Sequence, residues 1–357
     1  MPSGPGPVLL VARSMRSARW VVWATLAGVL AGHTWGEATI DRPAHHTDDG
    51  FRNPVPIDRG GLGVVLPFFA RRVVGFLRDR GGTPPAVAND GAFLRENARH
   101  SKPSVTWVGH ATLLVQMDHV NFLTDPIWSP TASPVSFLGP KRFVAPALDL
   151  EALPPIDFVV ISHNHYDHLD LPTLRRLADR GTRFFVPLRV AELLRGEGIG
   201  PVEELDWWEH RVVRGVEVHC VPSRHWSGRG LTDQSETLWS GWAVVGPSRR
   251  FYFAGDTGYF AGFQEIRRRL GPFGMAALPI GAYEPVAMMR DVHLNPEEAV
   301  QAGVDVGAER MLAIHYGTFD LTDEPLDEPP QRFRAEAARR GLAGRVWIPP
   351  LGETRFW

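Results

Sequence analysis

The run Ser162-His163-Asn164-His165-Tyr166-Asp167-His168 follows an apolar, strand-like stretch at residues 158–161 and precedes a helical one at 171–180. It places three imidazoles and a carboxylate in the turn between two regular elements, and these are donors that borderline divalent metals such as zinc prefer. In an extended segment the His-x-His spacing sends both imidazoles to one side. Asp167 and His168 then turn toward a second position as the helix begins. The spacing predicts two metals rather than one. A lone histidine here would read as structural, whereas four ligand-type residues together read as a metal loop.

Two neighbouring metals need further ligands, and the remaining apolar runs supply them. His225 follows the run 216–221, Asp256 follows 250–254 in Gly255-Asp256-Thr257-Gly258, and His315 follows 311–314 in Ile314-His315-Tyr316-Gly317. Each stands at the C-terminal end of a strand-like run, in the last two cases beside a glycine that lets the backbone bend tightly. The two oxygens of Asp256 can bridge a pair of cations, which a neutral imidazole cannot do.

These runs, together with 105–117, 184–186 and 275–280, alternate with helical stretches, which predicts an α/β layered domain. Asp170 is the expected cap of the helix at 171–180, with Pro172 in its first turn. Asn295-Pro296 opens another helix, and a third spans 331–340 and stops at Gly341. Residues 67–80 read as a basic amphipathic helix, with Phe68, Phe69, Val73, Phe76 and Leu77 on one face and Arg71, Arg72, Arg78 and Arg80 largely elsewhere. Such a helix suits an anionic membrane surface or packing on the main domain. Arg13, Arg16 and Arg19 precede the apolar stretch 20–32, which has the length of a signal-peptide core and is short for a spanning helix. The expected organisation is a signal peptide or membrane anchor at 1–36, an extension at 37–103 and a catalytic domain at 104–357, with the domain exported to the periplasm or held at the membrane.

The formal net charge is -2, so the charge balance gives no sign of a nucleic-acid partner. Lys102 and Lys141 are the only lysines, and the positive charge is otherwise arginine. The single cysteine, Cys220, excludes an intrachain disulfide and reads as a small buried hydrophobe.

The ligand order His-x-His-x-Asp-His, then His, Asp and His, resembles that of the metallo-β-lactamase fold superfamily. Longer segments are similar to one branch of it, the N-acyl-phosphatidylethanolamine-hydrolysing phospholipase D family. They include Thr106-Trp107-Val108-Gly109-His110-Ala111-Thr112, Phe122-Leu123-Thr124-Asp125-Pro126-Ile127, Gly139-Pro140-Lys141-Arg142-Phe143 and Glu204-Leu205-Asp206-Trp207-Trp208-Glu209. Phe253-Ala254-Gly255-Asp256-Thr257-Gly258-Tyr259, Pro279-Ile280-Gly281-Ala282-Tyr283-Glu284-Pro285 and Pro296-Glu297-Glu298-Ala299-Val300 extend the likeness, which covers roughly residues 50–355.

The resemblance implies an αββα sandwich of two mixed sheets flanked by helices. It implies two zinc ions, one on His163, His165 and His225, the other on Asp167, His168 and His315, with Asp256 bridging. Asp167, Asp256 and His293 would be the catalytic residues, His293 lining the substrate site. The stretch Met289-Arg290-Asp291-Val292 before His293 is more polar than the family's. Asp125 and His110 are candidates to orient ligand imidazoles, and Trp207-Trp208 reads as core. The implied activity is phosphodiester hydrolysis of phospholipase D type on a phospholipid substrate at a membrane surface; a homodimer is compatible with the sequence. The rival readings are a lactonase or another phosphodiesterase on the same dizinc site, and a non-enzymatic membrane protein with a structural zinc.

Overall fold

Strand character in this chain is set by long apolar runs whose two faces are both covered. In the run around residue 122, Phe122 packs between two sheets while Leu123 packs under helices, and both are fully buried. The computed structural model describes residues 42–74, 80–135 and 139–357. The basic and apolar segment at 13–32 lies outside them, as does the second half of the helix expected at 67–80, including Phe76 and Leu77. Among the described residues no helix is long and apolar enough to cross a membrane.

The first sheet comprises β1 (Ser104–Gly109), β2 (Thr112–Met117), β3 (Val120–Thr124), β4 (Phe158–Val160), β5 (Arg183–Pro187) and β6 (Val202–Leu205). The second comprises β7 (His210–Val213), β8 (Val216–Val221), β9 (Gly241–Val245), β10 (Arg250–Phe253), β11 (Phe273–Pro279), β12 (Ala308–Ile314) and β13 (Val346–Trp347). The C-terminal strand β14 (Thr354–Phe356) returns to pair antiparallel with β1. Strand orders are β14-β1-β2-β3-β4-β5-β6 and β13-β12-β11-β10-β9-β8-β7. Each sheet joins an antiparallel meander to a parallel run, β3 to β6 in one and β10 to β13 in the other. The inner faces meet in one core containing Trp107, Phe122, Trp242 and Phe251. This is the expected αββα arrangement of two mixed sheets flanked by helices.

The helices are α1 (Leu62–Val74), α2 (Ala92–His100), α3 (Leu171–Ala178), α4 (Ala191–Gly196), α5 (Gly262–Leu270), α6 (Val286–Met289), α7 (Pro296–Asp305) and α8 (Glu328–Arg339). Leu174, Leu177 and Leu194 seal the outer face of the first sheet. At α7 the expected cap is present as a capping box: Asn295 accepts from the Glu298 N–H at 2.8 Å while Glu298 accepts from the Asn295 N–H at 3.1 Å.

Several local expectations are corrected. The run 105–117 is two strands, because the chain turns at His110-Ala111 between β1 and β2. Asp170 does not cap α3 through its side chain; it accepts from the Ser129 hydroxyl at 2.7 Å and the Ser129 N–H at 3.1 Å, docking a neighbouring loop. Helix α1 begins at Leu62, so Pro67 lies inside it. Phe68 is buried against Met288 and Met289 of α6, and at this residue the packing alternative holds. Trp207 is buried as read, its indole N–H donating to the Trp239 carbonyl at 2.7 Å, and Cys220 is buried.

Residues 43–357 form one unit. Within that unit the described part of the extension is fastened to the layered sheets where His45 and His46 meet opposite oxygens of Asp206 at 2.7 and 2.8 Å.

Candidate metal centre

Parallel strands end together, so residues just beyond their C-termini converge. The loop after β4 carries His163, His165, Asp167 and His168; Asp256 follows β10 and His315 follows β12. His225 arrives from the segment after β8, and His293 from the turn between α6 and α7. The turn at Gly255 requires glycine: φ is +61°, and a Cβ there would stand 2.6 Å from the Cβ of Ser162.

The donors fall into two sets. In the first, His163 Nε2 lies 2.7 Å from His165 Nδ1, and His225 Nε2 lies 3.4 Å from the same atom. In the second, His168 Nε2 stands 3.1 Å from His315 Nε2 and 3.2 Å from Asp167 Oδ2, with His315 Nε2 3.4 Å from that oxygen. Asp256 lies between them. Its Oδ2 is 3.2 Å from His168 Nε2 and 3.8 Å from His225 Nε2, and its Oδ1 is 3.1 Å from His315 Nε2. His293 Nδ1 is 3.8 Å from Asp256 Oδ2. The seven sequence-predicted ligands and His293 are thus all brought together.

The partners of the outer nitrogens fix which nitrogen faces inward. His225 Nδ1 is 2.8 Å from the Val292 carbonyl, which can only accept, so the proton sits on Nδ1 and Nε2 presents its lone pair. Asp125 Oδ2 does the same for His168 Nδ1 at 2.6 Å. Asp125 also accepts from the Ser162 N–H at 2.6 Å and its hydroxyl at 2.5 Å. His110 Nε2 meets Asp167 Oδ2 at 2.9 Å, so it holds a candidate ligand carboxylate rather than an imidazole. His110, Asp125 and His315 have φ of 52°, 35° and 61°, a left-handed conformation that costs non-glycine residues of order 1–3 kcal/mol each and gathers at functional sites. Sequence reasoning missed Asn53, whose amide pairs with the main chain of His225: Nδ2 donates to its carbonyl at 2.7 Å and Oδ1 accepts its N–H at 3.2 Å. Neither spacing nor periodicity marks a contact made across so long a separation.

The electrostatics suit a cation. Burial pushes His110, His165, His225 and His293 down to about 3 and, with neighbouring imidazoles, holds His163 well below its usual value, so these five are neutral. Burial alone would raise the Asp256 carboxyl, but His168, His315 and His293 hold it well below the carboxylate range. Asp167 is likewise held down against burial, chiefly by His168 and His110. Neutral imidazoles around ionised carboxylates are a divalent-metal donor set. The fit has a structural sign too: Asp256 Oδ1 and His293 Nδ1 are buried without hydrogen-bond partners, although His315 Nε2 is only 3.1 Å from the former.

His168 and His315 differ. Burial would lower both, but Asp256 and Asp167 raise His168 well above its usual value and push His315 up to about 9. At neutral pH the metal-free centre therefore holds protons where a cation must bind. Loading the metal-free protein should release them, and apparent affinity should rise with pH through neutrality toward 9, about tenfold per unit for each displaced proton. Titration in weakly buffered solution reads both effects; a flat affinity between pH 6 and 8 without proton release would refute it.

Residues 120–316 match the β-lactamase superfamily domain. The chain belongs to the metallo-β-lactamase superfamily. Within it, the chain is 45% identical over 242 residues to N-acyl-phosphatidylethanolamine-hydrolysing phospholipase D 1 of Caenorhabditis elegans, covering 64% of this chain and 68% of that protein. It is 44% identical to an uncharacterised protein of Mycobacterium tuberculosis, across 96% of this chain and 95% of the relative. Among solved structures, a metallo hydrolase of Ignicoccus hospitalis is 25% identical with a TM-score of 0.54, covering 72% of this chain and 98% of the other. This member of the superfamily is therefore a metal-dependent hydrolase of the branch that holds the C. elegans enzyme.

Proposed function

We propose that the chain is a dizinc phosphodiesterase of phospholipase D type, cleaving N-acyl-phosphatidylethanolamine or a related phospholipid to N-acylethanolamine and phosphatidic acid. The observation that carries the two-metal reading is Asp256 standing between two complete donor sets. The substrate class is supported by the 45% identity to the C. elegans enzyme. His163, His165 and His225 would hold one ion and Asp167, His168 and His315 the other, with Asp256 shared. Zinc suits a set rich in imidazole with carboxylate. Two ions held there would supply a nucleophile from water at neutral pH and offset charge on the phosphoryl oxygens.

The protein's own groups do the positioning. Asp125 keeps the Nδ1 proton of His168, and the Val292 carbonyl keeps that of His225, so the Nε2 lone pairs stay turned inward. His293, neutral and with Nδ1 unpartnered, offers one donor and one acceptor beside Asp256. It is placed to orient the phosphoryl group or the departing oxygen. In this reading lipid meets the exposed side of α1, where Leu62 and Leu66 are 73% and 62% exposed one turn apart.

Zinc-loaded protein incubated with vesicles containing N-acyl-phosphatidylethanolamine should release N-acylethanolamine and phosphatidic acid, read by mass spectrometry. A Leu62→Ser, Leu66→Ser variant should lose rate on vesicles while keeping it on a soluble diester. Cleavage of a lactone but of no phosphodiester would overturn the reading. Equal behaviour of the variant on both substrates would remove the lipid surface from it.

A further inference from the structure

The extension runs along one wall of the metal centre and is pinned there at several points. Asn53 pairs with His225, the Pro56 carbonyl accepts from Arg224 Nη2 at 3.2 Å, and the Asp58 N–H donates to Asp291 Oδ2 at 2.8 Å. The Gly60 N–H donates to Asp58 Oδ1 at 2.9 Å, closing a tight turn around Arg59. With the chain fixed on both sides, the guanidinium carbon of Arg59 lies 3.9 Å from the ring centre of Trp226. Trp226 follows His225 directly, and its ring packs 4.3 Å from that of His165. Stacking occupies the flat face of a guanidinium and leaves its five N–H donors at the edge free.

Those donors are not spent. Among the described residues, Arg59 makes no hydrogen bond and no ion pair; its guanidinium lies over the indole of Trp226. Three other arginines near the centre are committed. Arg224 bonds Asp291 and the carbonyls of Pro56 and Tyr259, Arg229 the carbonyls of Asn164 and Leu169, and Arg142 those of Ser129 and Ile127. Arg59 is half-buried, and burial pushes its basicity down, yet among the described residues no carboxylate pairs with it. Beside a site built for divalent cations, a partly desolvated, unpaired cation is electrostatically unfavourable. An anionic ligand lying against both reverses the sign of that interaction.

We propose that Arg59 is the specificity-determining residue that receives the non-bridging oxygens of an anionic phosphodiester, so that this centre discriminates charged from neutral substrates. This rests on the phosphodiesterase reading above, which it deepens by assigning the anion contact to a residue of the extension. The charge is chemistry that a lactone or a simple carboxylic ester does not present.

The test compares the full-length, zinc-loaded protein with its Arg59→Gln and Arg59→Lys variants. The anionic substrate is bis(4-nitrophenyl) phosphate, the neutral one 4-nitrophenyl butyrate, and inorganic phosphate is the inhibitor. In Arg59→Gln the ratio of kcat/KM for the anionic over the neutral substrate should fall about tenfold or more, mainly through KM. The inhibition constant of phosphate should rise by a similar factor, and Arg59→Lys should recover part of both effects. A ratio unchanged from wild type, or equal losses on both substrates, would overturn the proposal. If wild type cleaves only the neutral ester, the phosphodiesterase reading fails, and the phosphate inhibition constant decides on Arg59 by itself. A weaker inhibition in Arg59→Gln keeps the anion contact, and an unchanged one removes it.

Discussion

Replacing Asp256 with asparagine should leave a folded protein that binds metal poorly and has lost nearly all hydrolysis. The side chain is 3% exposed and stands between imidazoles of both donor sets, at 3.1 Å from His315, 3.2 Å from His168 and 3.8 Å from His225. Asparagine has the same shape, so the packing around Gly255 and Ser162 is kept. It carries no charge, however, and offers one acceptor oxygen where the carboxylate offers two. One of its faces then turns N–H donors toward the centre. Losing one preorganised charge contact in a reaction centre costs on the order of 10²–10³ in kcat, and here the proposed shared ligand would go with it, so a loss of about a thousandfold or more is expected. Elemental analysis should show metal falling below two per chain while the circular dichroism spectrum is retained. Wild-type turnover with both metals bound would show that Asp256 is not the shared ligand.

The cluster of donor side chains was legible because its chemistry is local: four donor residues lie within six positions after an apolar run, and no folding information is needed to see them. Asp256 and His315 were legible for a related reason, since each closes a strand-like run and the parallel strands β10 and β12 end on one side; His225 follows β8, which runs the same way as β10 through the antiparallel β9. The Asn295 cap could be read because the capping box is a four-residue pattern. What escaped was set by contacts between distant segments. Asn53 and His225 are 172 residues apart, and an asparagine before proline carries no sign of such a partner. β14 pairs with β1 across most of the chain, so the last short strand has meaning only once the first is in place. Asp170 shows local propensity being overridden, as a carboxylate in the capping position is drawn to the Ser129 hydroxyl and N–H of another loop. Helix α1 was misplaced because Pro67 reads as a first-turn residue, whereas it sits in the helix at the position where Gly63 loses a hydrogen-bond donor. Its amphipathic pattern could not say which side is buried. Phe68 goes against Met288 and Met289, while Leu62 and Leu66 stay exposed.

Asp125→Ala should have the largest effect on stability of any single change at the centre. Asp125 is fully buried and touches no candidate metal position; it acts through what it holds. Three donors converge on it: the Ser162 N–H at 2.6 Å, the Ser162 hydroxyl at 2.5 Å and His168 Nδ1 at 2.6 Å. Burial pushes its own carboxyl up, and the Asp125–His168 contact holds a proton between them. Alanine removes all three acceptor contacts at once; the Ser162 hydroxyl keeps His163 Nδ1 at 2.9 Å, but the Ser162 N–H and His168 Nδ1 lose their acceptor in the interior, a loss of about 3–5 kcal/mol for a broken buried pair. Relief of the left-handed strain at φ 35° offsets little of this, because alanine keeps a Cβ and meets the same steric conflict. The ring of His168 is then free to turn, so metal affinity or activity should fall a further 10- to 100-fold. Asp125→Asn separates the two roles. Its carbonyl can still accept from Ser162, so most of the stability should return, but its amide N–H groups cannot accept from His168 Nδ1, so activity should stay low. Urea unfolding of the metal-loaded proteins, read beside their turnover, measures both. If Asp125→Asn restored turnover along with stability, Asp125 would be a packing residue of the β3–β4 junction and not the group that sets the tautomer of His168.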